Sequence, residues 1–371
     1  MKVLHILDSL NFSGVEMFLA SSSRYMKKEK IKPSILSTGN KIGPAYNLLK
    51  KKGFKIKHIS FAKHKIIGSL TRSLAFFSLL NFLMKNKFDI IQINTEANFF
   101  KFALIAILSG HKKIIRTINN VFFPNLILRI RRRIILKFCK FFKIKFFSHS
   151  DIIIKNELKN YNLKVVLLKA WYDDYKFSFI NYNTKQNLRK KLKISKNTLI
   201  IISIGNCSNI KNHDLIFKSL SILPKNLDWI YFHVGAEDDN KSERKLAKQL
   251  NIQKKCKFLG ALSDHRNYTN ISDVYIMSST VEGLGIASIE AGAIGSIPIL
   301  TKVHGNEEIL RKVKGTIGIN QTSESLKQAI LKIYLMKRKQ RSRLSFSIHK
   351  QMNKYWSSKN FYKWIKFYRN I

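Results

Sequence analysis

Short apolar runs recur along the chain and alternate with stretches whose apolar positions repeat at helical spacing. A short continuous apolar run is typical of a strand buried on both faces of a parallel sheet. Helical patterns lie between several runs, for example at residues 15–26, 44–52 and 70–85. The runs in the first half are residues 3–7, 32–37, 54–59, 90–93, 113–117 and 145–148. This alternation predicts a parallel sheet with helices on both faces.

A second series of the same kind begins near Thr198. Its strand-like runs are residues 199–203, 229–234, 256–259, 274–277 and 297–300. The segment at residues 167–182, which contains Trp171, is the predicted linker between the two series. We therefore predict two α/β domains, residues 1–170 and residues 171–351.

The composition fits this organisation. A chain of 371 residues with 45% hydrophobic residues suits two globular domains that each bury a core. The three cysteines, Cys139, Cys207 and Cys256, follow neither a disulfide framework nor a metal-ligand spacing, which favours a reducing compartment. The apolar run near Met1 is too short for a signal peptide, and no stretch of about 18 apolar residues predicts a membrane span. We expect a cytoplasmic protein.

The charge balance is strongly basic, with 68 Lys and Arg residues against 22 Asp and Glu residues. Such a charge favours nucleic acid or an anionic membrane surface as a partner. It also arises from composition alone, because Lys, Asn and Ile are abundant throughout the chain. No nucleic-acid motif accompanies the basic residues, so we expect no nucleic-acid partner. Membrane attraction and compositional bias both remain open.

Two carboxylates, Glu282 and Glu290, are separated by seven residues in a predicted strand–loop–helix segment. The loop contains Gly283 and Gly285, which let a ligand approach the backbone closely. The start of the helix offers free N–H groups and a positive dipole end to an anion. This arrangement suits a sugar nucleotide, with phosphates on the N–H groups and hydroxyls on the carboxylates. The alternative is a first-turn charge at Glu282 and a solvated side chain at Glu290.

The segment from Ser278 to Gly292 resembles the E-x7-E signature of the family 4 retaining glycosyltransferases. The resemblance implies the GT-B fold, an α/β architecture of two doubly wound Rossmann-like domains that face each other across a cleft. It also implies that Glu282 and the amides of Gly283 and Leu284 contact the donor sugar, and that Glu290 contacts the nucleotide ribose.

Two glycine-bearing loops extend the resemblance. In the loop after the first strand, Ser13-Gly14 stands where the family usually has Gly-Gly, which places Gly14 near the donor diphosphate. The loop at residues 204–212 resembles the family's Gly-Arg-x4-Lys phosphate loop. Lys211 matches the lysine, whereas Asn206 replaces the arginine and brings no charge. The resemblance assigns Asn206 and Lys211 to the donor.

Residues 115–122 resemble the family segment whose histidine helps to hold the donor sugar. The matching position is Asn119, which can form a hydrogen bond but cannot carry a proton. His149 is a candidate substitute, and a structural role for it is the alternative. Phe258 and Leu259, at the end of a predicted strand, resemble the edge that binds the nucleotide base.

Two further segments carry predictions about surfaces and packing. The family's last helix often packs back on the first domain, and the aromatic-rich residues 352–371 fit that role. Residues 129–145 interleave basic and apolar side chains, which predicts either a helix lying on anionic lipid or a helix that covers the sheet.

The resemblance thus implies a retaining glycosyltransferase, and we expect it to move a sugar from a nucleotide-diphosphate sugar to a lipid-linked or polysaccharide-precursor acceptor. We expect no cofactor and no required metal, because Lys211, loop amides and a helix dipole can offset the charge of the diphosphate. We expect the enzyme at the inner face of the membrane. The alternatives are a non-catalytic relative that binds a nucleotide or glycan, and a sugar-nucleotide epimerase of the same fold.

Overall fold

The computed structural model describes residues 1–61, 68–96, 98–119 and 126–371. These residues form two compact units. The first comprises Met1–Ala170 together with Lys359–Ile371, and the second comprises Trp171–Ser358.

The first unit contains a seven-stranded parallel sheet with the order β3-β2-β1-β4-β5-β6-β7. Its strands are β1 (Lys2–Leu7), β2 (Lys32–Ser37), β3 (Lys55–His58), β4 (Ile90–Ile93), β5 (Ile114–Ile118), β6 (Lys145–Ser148) and β7 (Val166–Leu167). Its helices up to the linker are α1 (Gly14–Lys28), α2 (Tyr46–Lys51), α3 (Gly68–Lys85), α4 (Phe99–Leu108), α5 (Leu126–Phe141) and α6 (Asp151–Tyr161). The strand order reverses between β1 and β4, and open α/β sheets bind ligands at such a switch point.

The second unit contains a six-stranded parallel sheet with the order β10-β9-β8-β11-β12-β13. Its strands are β8 (Leu199–Ile204), β9 (Trp229–Val234), β10 (Cys256–Phe258), β11 (Val274–Met277), β12 (Ile297–Thr301) and β13 (Ile317–Ile319). Its helices are α7 (Tyr182–Lys191), α8 (His213–Ser221), α9 (Ser242–Gln249), α10 (Arg266–Thr269), α11 (Ile286–Ile294), α12 (His304–Lys312), α13 (Ser323–Tyr334) and α14 (Arg338–Trp356). Its switch point lies between β8 and β11.

These sheets confirm the predicted α/β fold of two doubly wound domains. The strands were recognisable because parallel strands are covered on both faces and therefore appear as continuous apolar runs. In β4 and β11, for example, every residue is buried.

The C-terminal segment is divided between the two units. Within α14, Ile348, Met352 and Trp356 are fully buried in the core of the second unit. The predicted return of residues 352–371 to the first domain is therefore wrong for residues 352–358. The last helix, α15 (Lys359–Arg369), belongs to the first unit. There Trp364 packs on Phe18, with ring centroids 5.7 Å apart.

Helix α5 differs from the predicted basic helix at residues 129–145. It covers Leu126–Phe141. Arg132 does not belong to its basic outer surface, because its guanidinium donates to both carboxylate oxygens of the buried Glu157 at 2.7 Å. Among the described residues, no helix is both long and apolar enough to cross a membrane.

Candidate functional site

The loops that follow β8 and β11 meet at the carboxyl edge of the second sheet. Lys211 Nζ lies 2.7 Å from Glu282 Oε2. The backbones are also joined, because Thr280 N donates to the carbonyl of Ile210 at 2.8 Å and Ser278 Oγ donates to the carbonyl of Lys211 at 2.8 Å. The fold thus brings together two predicted donor-binding residues that stand 71 positions apart in the chain.

The Glu282 carboxylate is held by groups that bind anions. Lys211 contacts one of its oxygens, and the amide of Gly283 donates to the other at 3.2 Å. The side chains of Lys211 and Glu282 are 29% and 14% exposed, so solvent reaches the pair and its net contribution to stability is small. An anion with more charge than a carboxylate can therefore compete for Lys211 at little cost.

Helix α11 begins directly after this loop. Gly285 precedes its first residue, and no side chain caps the described N-terminus. The first turn of this fully described helix also contains no acidic residue. A Cβ on Gly285 would lie 2.9 Å from Ser288 Oγ, so glycine suits the tight entry into the helix. The Ile286 and Ser288 amides already donate to the carbonyls of Leu284 and Gly285, and the helix dipole favours an anion at this end.

Gly305 fixes the backbone of Glu282. A Cβ on Gly305 would lie 2.2 Å from the Glu282 carbonyl oxygen. The start of α12 therefore packs directly against the Glu282 backbone. Glu308, further along α12, is buried and pairs with Lys312 at 2.6 Å, which indicates a structural role.

Glu290 lies on α11 and is mostly buried, with 14% of its side chain exposed. This contradicts the alternative of a solvated side chain. Its Oε2 lies 3.6 Å from Nε2 of His265. His265 is itself fixed, because Nδ1 lies 2.7 Å from Thr269 Oγ1 and the ring stacks on Phe177. His265 is thus a neighbour of the candidate site that no sequence motif indicated.

The loop after β8 packs against the loop after β9. A Cβ on Gly235 would lie 1.9 Å from the Gly205 carbonyl oxygen, so the two loop backbones are in close contact. The side-chain oxygen of Asn206 accepts a hydrogen bond from the Ala236 amide at 2.9 Å. Asn206 therefore holds the loop together, and its predicted contact with the donor stays a prediction. The methylene carbons of Lys211 cover Gly205.

The predicted base-binding edge is partly exposed. Leu259 N donates to the carbonyl of His233 at 2.9 Å, which extends the pairing of β10 with β9. The ring of Phe258 is covered by the guanidinium of Arg244, 4.5 Å from the ring centroid. The partly exposed backbone after β10 therefore lies beside the positive charge of Arg244.

In the first unit, the loop after β1 ends at Gly14, the first residue of α1. A Cβ on Gly14 would meet no atom of the described residues within 4 Å. The hydroxyl of Ser13 donates to the buried Glu16 carboxyl, and burial raises the pKa of Glu16 to about 7. Glu16 is a titratable group at this switch point that sequence reasoning missed.

The other two first-unit candidates differ in environment. Asn119 directly follows β5 and is partly exposed, whereas residues 120–122 of its predicted segment lie outside the described residues. His149 Nδ1 lies 2.6 Å from the carbonyl oxygen of Leu168, and the ring stacks on Trp364. Burial lowers the pKa of His149 to about 4. These contacts favour a structural role for His149.

Comparison with known proteins identifies related sequences. Residues 184–350 match the family described as glycosyl transferases group 1. The capsular polysaccharide biosynthesis glycosyltransferase CapH of Staphylococcus aureus is 22% identical over 319 residues, which cover 83% of each chain. The UDP-Gal:alpha-D-GlcNAc-diphosphoundecaprenol alpha-1,3-galactosyltransferase of Escherichia coli is 24% identical over 250 residues, which cover 63% of each chain. The chain spans only about a third of the length of the first curated relatives it matches, 37% and 35%.

Comparison with solved structures identifies the fold. Anabaena HepE, solved in complex with UDP and glucose, aligns over the whole of both chains with a TM-score of 0.81 and 14% identity. At this identity the similarity establishes the architecture, which is the GT-B fold.

Proposed function

Because the chain carries a group 1 glycosyltransferase domain in a GT-B fold, we propose that it transfers a hexose from a nucleoside diphosphate sugar to a lipid-linked or polysaccharide-precursor acceptor, with retention of configuration. The pair of Lys211 and Glu282 beside the uncapped start of α11 carries this proposal. Relatives named for capsular polysaccharide and for a diphosphoundecaprenol-linked sugar support the class of acceptor.

The donor diphosphate takes the place of Glu282 beside the ammonium group of Lys211. Lys211 now binds the carboxylate of Glu282, and a diphosphate brings more charge within reach of the same ammonium group. The exchange frees Glu282 to accept hydrogen bonds from sugar hydroxyls. The amides of Gly283 and Leu284 lie in the same loop and donate to the donor. Glu290, further along α11, receives the ribose hydroxyls.

The proposed reaction needs no protein base at Asn119. The bond between the anomeric carbon and the donor phosphate breaks, and a bond from that carbon to the acceptor oxygen forms on the same face. The acceptor's proton passes to the departing phosphate oxygen. The protein's part is to stabilise the diphosphate charge through Lys211 and backbone amides.

An assay with a panel of UDP- and GDP-sugars and lipid-linked acceptors tests the proposal. Transfer of the sugar supports it. Binding of the donor without transfer or hydrolysis favours a non-catalytic relative, an alternative suggested by the use of Asn206 as a loop brace. Conversion of the donor sugar without an acceptor favours an epimerase.

Replacement of Glu290 by Ala should weaken binding of the free nucleotide. A hydrogen bond to a charged group contributes about 1.5–3 kcal/mol, which corresponds to roughly a 10–100-fold rise in the Kd for UDP or GDP. Titration calorimetry measures this change. Glu324→Ala, at an exposed glutamate on α13, is the matched control. An unchanged Kd in Glu290→Ala would show that Glu290 does not contact the nucleotide.

A surface of the first unit supports a membrane location. Helix α5 combines exposed apolar side chains with exposed basic ones; the apolar ones are Leu126, Ile127, Leu128, Ile130, Ile134 and Phe141. A groove of about 600 Å³ lies along this helix and is lined by Ile127, Ile130, Ile134, Phe138 and Phe100, among others. Apolar side chains that enter the lipid beside cations that attract anionic headgroups are the combination that peripheral proteins use. We propose that α5 rests on anionic lipid at the cytoplasmic face.

Reversal of two exposed charges on α5 should reduce lipid binding. Arg131→Glu/Arg133→Glu should lower sedimentation with anionic vesicles at low salt, because each basic residue near such a surface contributes about 1 kcal/mol. Arg132 is left intact, since its partner Glu157 is buried. Lys190→Glu/Lys191→Glu on α7 makes the same change in net charge in the second unit and should bind as the wild type does. Equal losses in both double variants would indicate a general effect of net charge.

A further inference from the structure

Four side chains with metal-binding atoms lie close together, in and next to the loop that carries Lys211. They are Cys207 in that loop, His213 at the start of α8, His233 in β9 and Glu243 in α9. Their ligand atoms all lie within 4.8 Å of one another. Both histidines and Glu243 are buried, and Cys207 is partly exposed. The four residues come from four different elements of the second unit.

The hydrogen bonds of His233 leave one ring nitrogen without a proton donor or acceptor partner. Nε2 lies 3.0 Å from the Gly205 carbonyl oxygen, and a carbonyl only accepts, so the proton is on Nε2. In the neutral ring, Nδ1 presents a lone pair to the interior of the cluster.

The group that faces this lone pair is another acceptor. Glu243 Oε2 lies 3.7 Å from His233 Nδ1. Within the described part of the chain, neither atom has a hydrogen-bond partner, although both are buried. Oε1 of Glu243 lies 2.7 Å from His213 Nδ1. Two buried acceptors that face each other without a proton between them are unfavourable unless a cation or a water joins them.

We propose that Cys207, His213, His233 and Glu243 bind one divalent transition-metal ion, with Zn²⁺ the best match. One thiolate, two imidazoles and one carboxylate are ligands that zinc accepts in a four-coordinate site. Zinc–ligand bonds of about 2.0–2.3 Å require the ligand atoms to lie roughly 3.3–3.8 Å apart. The widest separations must therefore shrink by about 1 Å, and the 2.7 Å hydrogen bond between His213 and Glu243 must open as its proton is released. The hydrogen bond from His233 to Gly205 is the type of contact that orients a metal-bound histidine.

The ion has a structural role in this proposal. Four protein ligands leave no open position for a substrate, which is typical of structural zinc. Cys207 lies in the loop that leads to Lys211, and His233 contacts the backbone of the same loop at Gly205. The ion therefore fixes the loop that carries Lys211 and takes no part in the transfer of the sugar.

Metal titration of the full-length chain tests the proposal. After treatment with a chelator, the wild type should bind one equivalent of Zn²⁺, and Co²⁺ in its place should give the absorption band of a cobalt–thiolate bond. Cys207→Ser should lose that band. Cys256→Ala removes a buried cysteine in β10 of the same unit and should keep the band.

A second readout uses the wild type alone, so it does not depend on how well a variant folds. Of the three cysteines, only Cys207 is partly exposed. Zn²⁺ should slow its alkylation by about tenfold or more, because a metal-bound thiolate is shielded from the reagent. At 100 times its Kd, Zn²⁺ should raise the Tm of the second unit by about 5–10 °C. Absence of stoichiometric binding, an unchanged alkylation rate, or an identical cobalt band in Cys207→Ser would each overturn the proposal.

Discussion

Replacement of Lys211 by Ala is expected to lower kcat/KM for sugar transfer by about 10²–10³-fold. Removal of one preorganised group that stabilises developing charge costs about 2.7–4 kcal/mol in transition-state stabilisation. Lys211 is the cation that the fold holds 2.7 Å from Glu282 at the edge where the diphosphate is proposed to bind. The unfolding free energy should change by less than about 1 kcal/mol, because the pair is partly exposed.

Two comparisons separate this effect from a general loss of charge. Lys218→Ala removes an exposed lysine from α8 and should leave kcat/KM unchanged. Lys211→Arg keeps a cation at the loop and should recover part of the lost rate. Steady-state kinetics with the best donor of the panel measures all three variants. If kcat/KM of Lys211→Ala were within twofold of the wild-type value, Lys211 would take no part in the reaction.

Replacement of Arg189 by Met is expected to destabilise the second unit by about 3–5 kcal/mol. The guanidinium is buried and donates to Asp273 Oδ2 at 2.7 Å and to the carbonyl of Ile271 at 2.7 Å. Its loss leaves the buried Asp273 carboxylate with only Lys185 as a charged partner among the described contacts, and breaking a buried pair on one side is costly.

Denaturant unfolding measures this change. Arg266→Met is the matched control, because Arg266 pairs with Asp264 at 2.6 Å but both side chains are exposed. The control should lower the unfolding free energy by less than about 1 kcal/mol. Equal losses of unfolding free energy in both variants would mean that burial does not determine how much the Arg189 pair stabilises the fold.

The same cluster predicts how stability depends on pH. Burial alone would raise the pKa of Asp273, but the charges of Lys185 and Arg189 outweigh it and lower the pKa to about 2, from an ordinary value of 3.8. A carboxyl whose pKa is lower in the folded state stabilises the fold above its ordinary pKa. Its contribution is therefore complete above about pH 4 and is lost as the pH falls towards 2.

Much of the fold could be predicted from the pattern of apolar residues. Strands such as Ile90–Ile93 and Val274–Met277 are buried on both faces, and their sequences show it directly. The packing of the two C-terminal helices could not be predicted in this way. Trp356 and Trp364 look equivalent in sequence, yet one packs in the second core and the other in the first, because the helix stops between them.

The candidate site was predicted only where a local motif existed. Glu282 and Lys211 could be named from two loops, but their contact depends on β8 and β11 being neighbours in the sheet. His265 carries no motif, since it lies beside Glu290 only through the fold. The cluster around His233 was missed for the same reason, because its members come from four separate elements.

The basic residues also differ in ways that the sequence does not show. Arg131, Arg132 and Arg133 form one run, but Arg132 alone is turned towards a buried carboxylate. Whether a charge faces solvent or a partner depends on the rotation of the helix against its neighbours, here α5 against α6, which carries Glu157.

The anomeric configuration of the product decides whether the protein is a retaining glycosyltransferase. The folded wild-type protein is incubated with each donor of the UDP- and GDP-sugar panel and a lipid-linked acceptor, and the new glycosidic bond is identified by mass spectrometry and NMR. We predict transfer of one hexose with the anomeric configuration of the donor retained, and loss of this product in Lys211→Ala. A product of inverted configuration, or neither transfer nor donor hydrolysis with any donor of the panel, would contradict it.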